Sequence, residues 1–139
     1  LLVMSGIDRS IKKTEHIYKN KDNTAALWFG SIDDLWKLGK PVGVGGPWKN
    51  TTVRKDVLSE PYLMTGYDKK TLVLSADKDV TITLWINISH YLKEKMAYKE
   101  FKLKAGEEVR YVFPEGFSAH WAYLSGDKDC VATGQFIYE

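Results

Sequence analysis

Between Val80 and Ser89 apolar and polar residues alternate without a break. Val80, Ile82, Leu84, Ile86 and Ile88 fall on one side, and Thr81, Thr83, Trp85, Asn87 and Ser89 on the other. A period of two is the signature of a β-strand with one dry face. Such a strand needs a second layer to cover that face. The same pattern recurs along the chain. Leu72 and Leu74 alternate within 70–75, Val109, Tyr111 and Phe113 within 109–113, Trp121 and Tyr123 within 120–124, and Phe136 and Tyr138 near the end. Short strands about eight to twelve residues apart, separated by Gly and Asp turns, predict an all-β fold. The expected architecture is an antiparallel β-sandwich, jelly-roll-like, preceded by an N-terminal β arm. The turn Ala76-Asp77-Lys78-Asp79 is expected to join its two flanking strands as a hairpin.

With 139 residues the chain is long enough to bury a core without staples. Its 20 Lys and Arg against 18 Asp and Glu leave a net charge of +2, which makes no electrostatic case for nucleic acid or an anionic membrane. The apolar runs are far too short to insert through a bilayer. Cys130 is the single cysteine, so an internal disulfide and a cysteine zinc cluster are both excluded. Leu1-Leu2-Val3-Met4 is too short for a signal-peptide core, and the expectation is a processed chain or a fragment. Asn50-Thr51-Thr52 and Asn87-Ile88-Ser89 have the form of glycosylation triplets, a pattern common by chance.

Three segments need separate treatment. Residues 91–104 carry Leu92 and Met96 at helical spacing but Phe101 and Leu103 at strand spacing; the reading is a loop leading into a strand from about Ala97, with a short helix at 92–96 as the alternative. Leu74-Ser75-Ala76-Asp77-Lys78-Asp79-Val80 is echoed by Leu124-Ser125-Gly126-Asp127-Lys128-Asp129-Cys130-Val131. Alternating aspartates suit calcium, but no glycine stands where an EF-hand loop needs one, so solvated turns capped by Asp side chains are the better reading. Residues 40–50 hold Pro41, Gly43, Gly45, Gly46 and Pro47, and are expected to form a connector loop over 41–50 between an arm at 1–40 and a sandwich at 51–139. The glycines there lack the Lys-Ser/Thr of a phosphate-binding loop.

Catalytic patterns are thin. His16, His90 and His120 fall on separate predicted strands without metal-ligand spacing. Asp33 and Asp34 are adjacent, and neighbours in a strand point to opposite faces, so they cannot serve together as acid and base across one bond. No nucleophile elbow is present. No catalytic residue, metal or cofactor is assigned. The aromatics carry more information, since five Trp and eight Tyr can either fill a β core or stack on sugar rings. Trp85 lies opposite the Ile82, Leu84 and Ile86 stripe, and Trp48 lies in the Gly-Pro segment. Those two, with Asn87 and Trp121, are the candidate ligand-binding residues, and carbohydrate is the candidate ligand.

The runs His16-Ile17-Tyr18, Ala26-Leu27-Trp28-Phe29-Gly30-Ser31-Ile32-Asp33-Asp34-Leu35-Trp36-Lys37-Leu38-Gly39-Lys40-Pro41, Gly45-Gly46-Pro47-Trp48, Pro61-Tyr62-Leu63-Met64-Thr65-Gly66-Tyr67-Asp68 and Phe117-Ser118-Ala119-His120-Trp121 resemble the C-terminal region of large exported bacterial proteins. Those proteins combine a glycosidase-like β-propeller with a terminal β-sandwich. The resemblance implies that 1–40 are the closing strands of a propeller, with Asp33 and Asp34 at its rim. It also implies a secreted, periplasmic or cell-surface location. Residues 1–40, rich in apolar side chains, are expected to pack against an adjacent propeller or catalytic domain or a partner chain. Two function classes follow: an accessory sandwich that binds glycan or buttresses a catalytic domain, and a fragment of a glycoside hydrolase or lyase that completes an active site with a missing domain or partner.

Overall fold

A computed structural model describes residues 1–89, 91 and 93–139. The chain divides into two compact units, Leu1–Lys40 and Pro41–Glu139. Both are built from antiparallel sheets, as the alternation predicts.

The first unit is a three-stranded sheet in the order β1-β3-β2, with β1 at Leu2–Met4, β2 at Ile17–Lys19 and β3 at Ala26–Gly30. Trp28 is buried between its register partners Met4 and Ile17, and its ring covers the bare Cα of Gly30. His16 stacks on Trp28 at 5.2 Å, and its Nδ1 bonds the Phe29 carbonyl oxygen at 2.8 Å. A 3-10 helix over Ile32–Leu38 follows. Asp33 and Asp34 therefore lie in a helical turn, which corrects the strand reading of that pair. The helix forms because Asp34 turns back on its start, accepting from the Ser31 N–H at 2.8 Å and the Ser31 hydroxyl at 2.9 Å.

The second unit is the sandwich. Its strands are β4 (Gly43–Val53), β5 (Tyr62–Leu63), β6 (Lys70–Ala76), β7 (Val80–Asn87), β8 (Met96–Leu103), β9 (Glu108–Val112), β10 (Trp121–Gly126) and β11 (Cys130–Tyr138). One sheet runs β5-β10-β7-β8 and the other β4-β11-β6-β9. The inward positions Leu72, Leu74, Ile82, Leu84, Leu124 and Phe136 are fully buried between them.

Two expectations are corrected here. The connector at 41–50 is largely strand: β4 starts at Gly43 and pairs with β11. The glycines serve close packing, since a Cβ on Gly45 would stand 2.2 Å from the Tyr62 hydroxyl and one on Gly46 would stand 2.1 Å from the Gly134 carbonyl oxygen. Pro47 is tolerated because β4 is an edge strand. Second, β6 and β7 do not form a hairpin. They lie in different sheets, so 77–79 is an arch across the sandwich, and 127–129 is its twin between β10 and β11. The chain is strand from Met96, as the loop-then-strand reading expects, and the alternative helix falls partly on Leu92, which with His90 lies outside the described residues.

The two arches bond each other reciprocally. Asp77 Oδ1 accepts the Val131 N–H and Asp127 Oδ1 accepts the Thr81 N–H, both at 2.8 Å. Asp77 N–H donates to Val131 O and Asp127 N–H to Thr81 O, both at 3.0 Å. Lys78 Nζ donates to Asp129 O and Lys128 Nζ to Asp79 O. Asp79 Oδ1 accepts the Ala105 N–H, and Asp129 Oδ1 accepts the Lys55 N–H. Each residue recurs fifty positions later in its counterpart bond. The correspondence extends to the left-handed turn residues Asp56 with Gly106 and Gly66 with Gly116. Read from β5 and from β9, the two sheet orders then superimpose strand for strand. Such exchange is the mark of a two-fold relation: the sandwich is a repeated half, related to itself by a pseudo-dyad between the arches. One oxygen of each aspartate thus accepts a backbone N–H, and no described group of His, Cys, Asp or Glu side chains is arranged to hold a metal.

These caps predict a matched pair of effects. Asp77→Ala and Asp127→Ala should each cost about 1–2 kcal/mol, like loss of a helix cap. Urea melts of the two variants should agree closely. A cost several-fold larger for one than for the other would contradict the reciprocal arrangement.

Candidate functional site

The outward face of the β5-β10-β7-β8 sheet gathers the polar-side positions of the strongest sequence pattern. On β7 these are Thr81, Thr83, Trp85 and Asn87, and on β10 Trp121, Tyr123 and Ser125. The register sets Tyr123 directly opposite Trp85, Trp121 opposite Asn87 and Ser125 opposite Thr83. Trp85, Trp121 and Tyr123 are all half-buried, so each keeps part of its ring at the surface. Trp85 is pinned diagonally: its indole N–H donates to Ser125 Oγ at 2.9 Å. The Lys95 ammonium stands 4.9 Å from the centre of the Tyr123 ring. Beyond β7, the edge strand β8 adds Ala97 opposite Trp85, Glu100 opposite Thr83 and Lys102 opposite Thr81.

Asn87 belongs to this face but is not presented to a ligand. It is 3% exposed; its Nδ2 donates to Glu94 O and its Oδ1 accepts the Ser89 N–H. Its amide thus ties Ser89 and Glu94 together instead of facing out. Trp48 is not displayed either. It is a core residue at 5% exposure, opposite Gly134 in the β4–β11 pair. Glycine at 134 makes the room, since a Cβ there would stand 2.3 Å from Leu124 Cδ1. Of the four candidate ligand residues, the structure places Trp85, Trp121 and Asn87 on one face, with the Asn87 amide buried, and puts Trp48 in the core. Sequence reasoning missed Tyr123, Ser125 and Lys95 as members. Tyr123 shares the parity of Trp121, but its pairing with Trp85 depends on register.

Asp33 and Asp34 form no catalytic pair. The hydrogen bonds from Ser31, reinforced by Lys37 at 3.0 Å, hold the Asp34 carboxyl far below the usual carboxylate range. It is an anion that caps a helix. His120 packs edge-on to Trp121 at 5.0 Å. Cys130 is buried, and burial pushes its thiol up, away from the reactive thiolate.

The repeat supplies an internal comparison. Fifty positions from Trp85 stands Gln135, and fifty before Trp121 and Tyr123 stand Thr71 and Val73. Those residues occupy the outward face of the other sheet, with Gln135 opposite Val73 just as Trp85 is opposite Tyr123. The same fold is therefore built with no aromatic at the equivalent places. No protein family, characterised protein or solved structure matches this chain.

Proposed function

We propose that the unit 41–139 is a glycan-binding accessory module of an exported carbohydrate-active protein, with Trp85, Tyr123 and Trp121 as its stacking platform. The observation that carries this reading is the one-sidedness of the aromatics. The other sheet closes without aromatics at the equivalent outward positions, where Gln135, Val73 and Thr71 stand. Indole and phenol faces pair well with the apolar C–H surface of sugars, and each ring retains a polar handle. The Trp85–Ser125 bond fixes the orientation of the central ring, which lowers the ordering cost of binding. Thr83 and Ser125 lie beside the platform as hydroxyl partners. Affinity on so shallow a face is expected in the range of about a millimolar to tens of micromolar.

The test is a glycan array followed by calorimetry on the full chain. Trp85→Ala should weaken binding roughly tenfold or more, the loss typical of a central aromatic anchor. Gln135→Ala, its counterpart on the other sheet, should leave binding unchanged. Urea melts confirm that both variants remain folded. Binding that survives Trp85→Ala, Tyr123→Ala and Trp121→Ala removes this face from the reading, and an array without a single ligand removes the reading itself.

A further inference from the structure

Two cations lie along the aromatic platform. Lys95 stands over Tyr123, level with Trp85. Further along, past Thr83, Lys102 stands opposite Thr81. Thr81 lies four residues along β7 from Trp85, about 13 Å at the rise of a strand. There the face opens into a cleft of about 220 Å³ lined by Asp79, Thr81, Lys102, Lys104 and Lys128. The charges around it are unequally satisfied. Asp79 is paired with Lys104 at 2.8 Å and takes the Ala105 N–H, which together hold its carboxyl below its ordinary value. Asp127 next to the cleft takes the Thr81 N–H. Lys128 donates to the Asp79 backbone carbonyl and shares the Asp79 carboxylate's charge with Lys104. Lys95 and Lys102 have no carboxylate partner among the described residues. Glu100, opposite Thr83, is the one carboxylate on the outward face between them.

The repeat again separates fold from function. The counterparts of Lys95 and Lys102 are Gly45 and Thr52, and that of Glu100 is Asn50. The two ammonium groups, like the three aromatic rings, occur on one sheet only. An exposed lysine held over an aromatic ring without an anion is poised for an anion brought by a ligand stacked beside it.

We propose that the glycan bound on this face is anionic, a polysaccharide bearing carboxylate or sulfate groups that meet Lys95 over Tyr123 and Lys102 with Lys128 further along the strip. This rests on the glycan-binding reading above and adds the chemical class of the ligand. The aromatic rings hold the sugar faces, and the lysines select chains that carry acid groups at intervals along the strip. Surface ammonium groups also favour rapid, salt-sensitive capture of a polyanion.

Affinity electrophoresis of the full chain in gels containing galactan, polygalacturonate or κ-carrageenan compares neutral, carboxylate-bearing and sulfate-bearing polymers of galactose-type sugars. At least one acidic polymer should retard the protein tenfold more strongly than galactan at low salt, and which one does so distinguishes carboxylate from sulfate. Lys95→Gln and Lys102→Gln should each weaken that binding roughly two- to fivefold, as expected for exposed charge contacts. Lys49→Gln, on β4, should not. Trp85→Ala should abolish the retardation, which excludes a general polycation effect. Equal binding of galactan and the acidic polymers, or acidic binding insensitive to Lys95 and Lys102, overturns the anionic assignment while a Trp85-dependent interaction leaves the glycan reading standing. Retardation that ignores Trp85 overturns both. If none of the three polymers binds while the array yields Trp85-dependent neutral ligands, the assignment likewise falls.

Discussion

Phe136→Ala is expected to destabilise the sandwich by about 3–5 kcal/mol, the cost of emptying a fully buried aromatic site. Phe136 has no exposed surface and lies on β11, between β4 and β6. Its ring is stacked on Tyr62 at 5.4 Å and lies 6.3 Å from Phe113 and 5.8 Å from Tyr138. These neighbours come from several strands, so no single shift of the backbone closes the void. A domain of this size has roughly 5–15 kcal/mol in total, so the loss is a large share of its stability. Urea unfolding should show the midpoint fall with little change in slope. Val112→Ala, on the same sheet but 69% exposed, should stay within about 0.5 kcal/mol of the parent. Equal effects at the two positions would mean that the packing between the sheets is not as described.

Strands β6, β7, β10 and β11 are legible from the alternation alone because each has one dry and one wet face. Strand β4 is not. Its glycines read as turn residues, yet two of them are small because Tyr62 and the Gly134 backbone press against them. That pressure comes from residues distant in sequence. The arches were misread for a related reason: a short Asp-rich turn looks the same whether the next strand folds back beside its predecessor or crosses to the other sheet. The clue was present in the repeated Asp-Lys-Asp, whose side chains bond partners 26 to 74 residues away.

The candidate site was half legible. Strand parity alone turns Trp85 and Trp121 outward. It also turns Asn87 outward, and only the fold reveals that its amide is taken up by Ser89 and Glu94. Trp48 was taken for a loop residue because its strand was taken for a loop. The lysines could not be placed without the β7–β8 register, which contains an irregularity between Leu84 and Trp85. The fifty-residue repeat lets one half of the sandwich be compared with the other position by position.

Alkali is expected to unfold the sandwich cooperatively, starting near the ordinary tyrosine pKa of about 10. Burial raises the phenol pKa of Tyr138 strongly and that of Tyr62 as well. Burial and a hydrogen bond with Tyr98 push Tyr111 up to about 12. A folded phenol that keeps its proton while the unfolded one loses it contributes stability that is complete below pH 10 and is lost as pH rises toward the folded value. Each such group removes about 1.4 kcal/mol per pH unit in that window. Lys70 acts in the opposite direction. It is 5% exposed, its ammonium bonds the carbonyls of Tyr67 and Phe117, and burial lowers its pKa below 10.5. The unfolded state then holds the extra proton, so stability rises slightly with pH until the unfolded lysine has also deprotonated. The net expectation is a flat or gently rising stability to about pH 10 and a steep fall above it. Urea melts across this range, with tyrosinate absorbance followed in parallel, give the slope. Tyr138→Phe loses the bond from its hydroxyl to Leu63 O and should cost about 1 kcal/mol at neutral pH. Above pH 10 the same variant should lose stability less steeply than the parent, because one of the three phenols no longer drives the transition. An unchanged alkaline slope in Tyr138→Phe would show that the buried phenols are not what limits the fold at high pH.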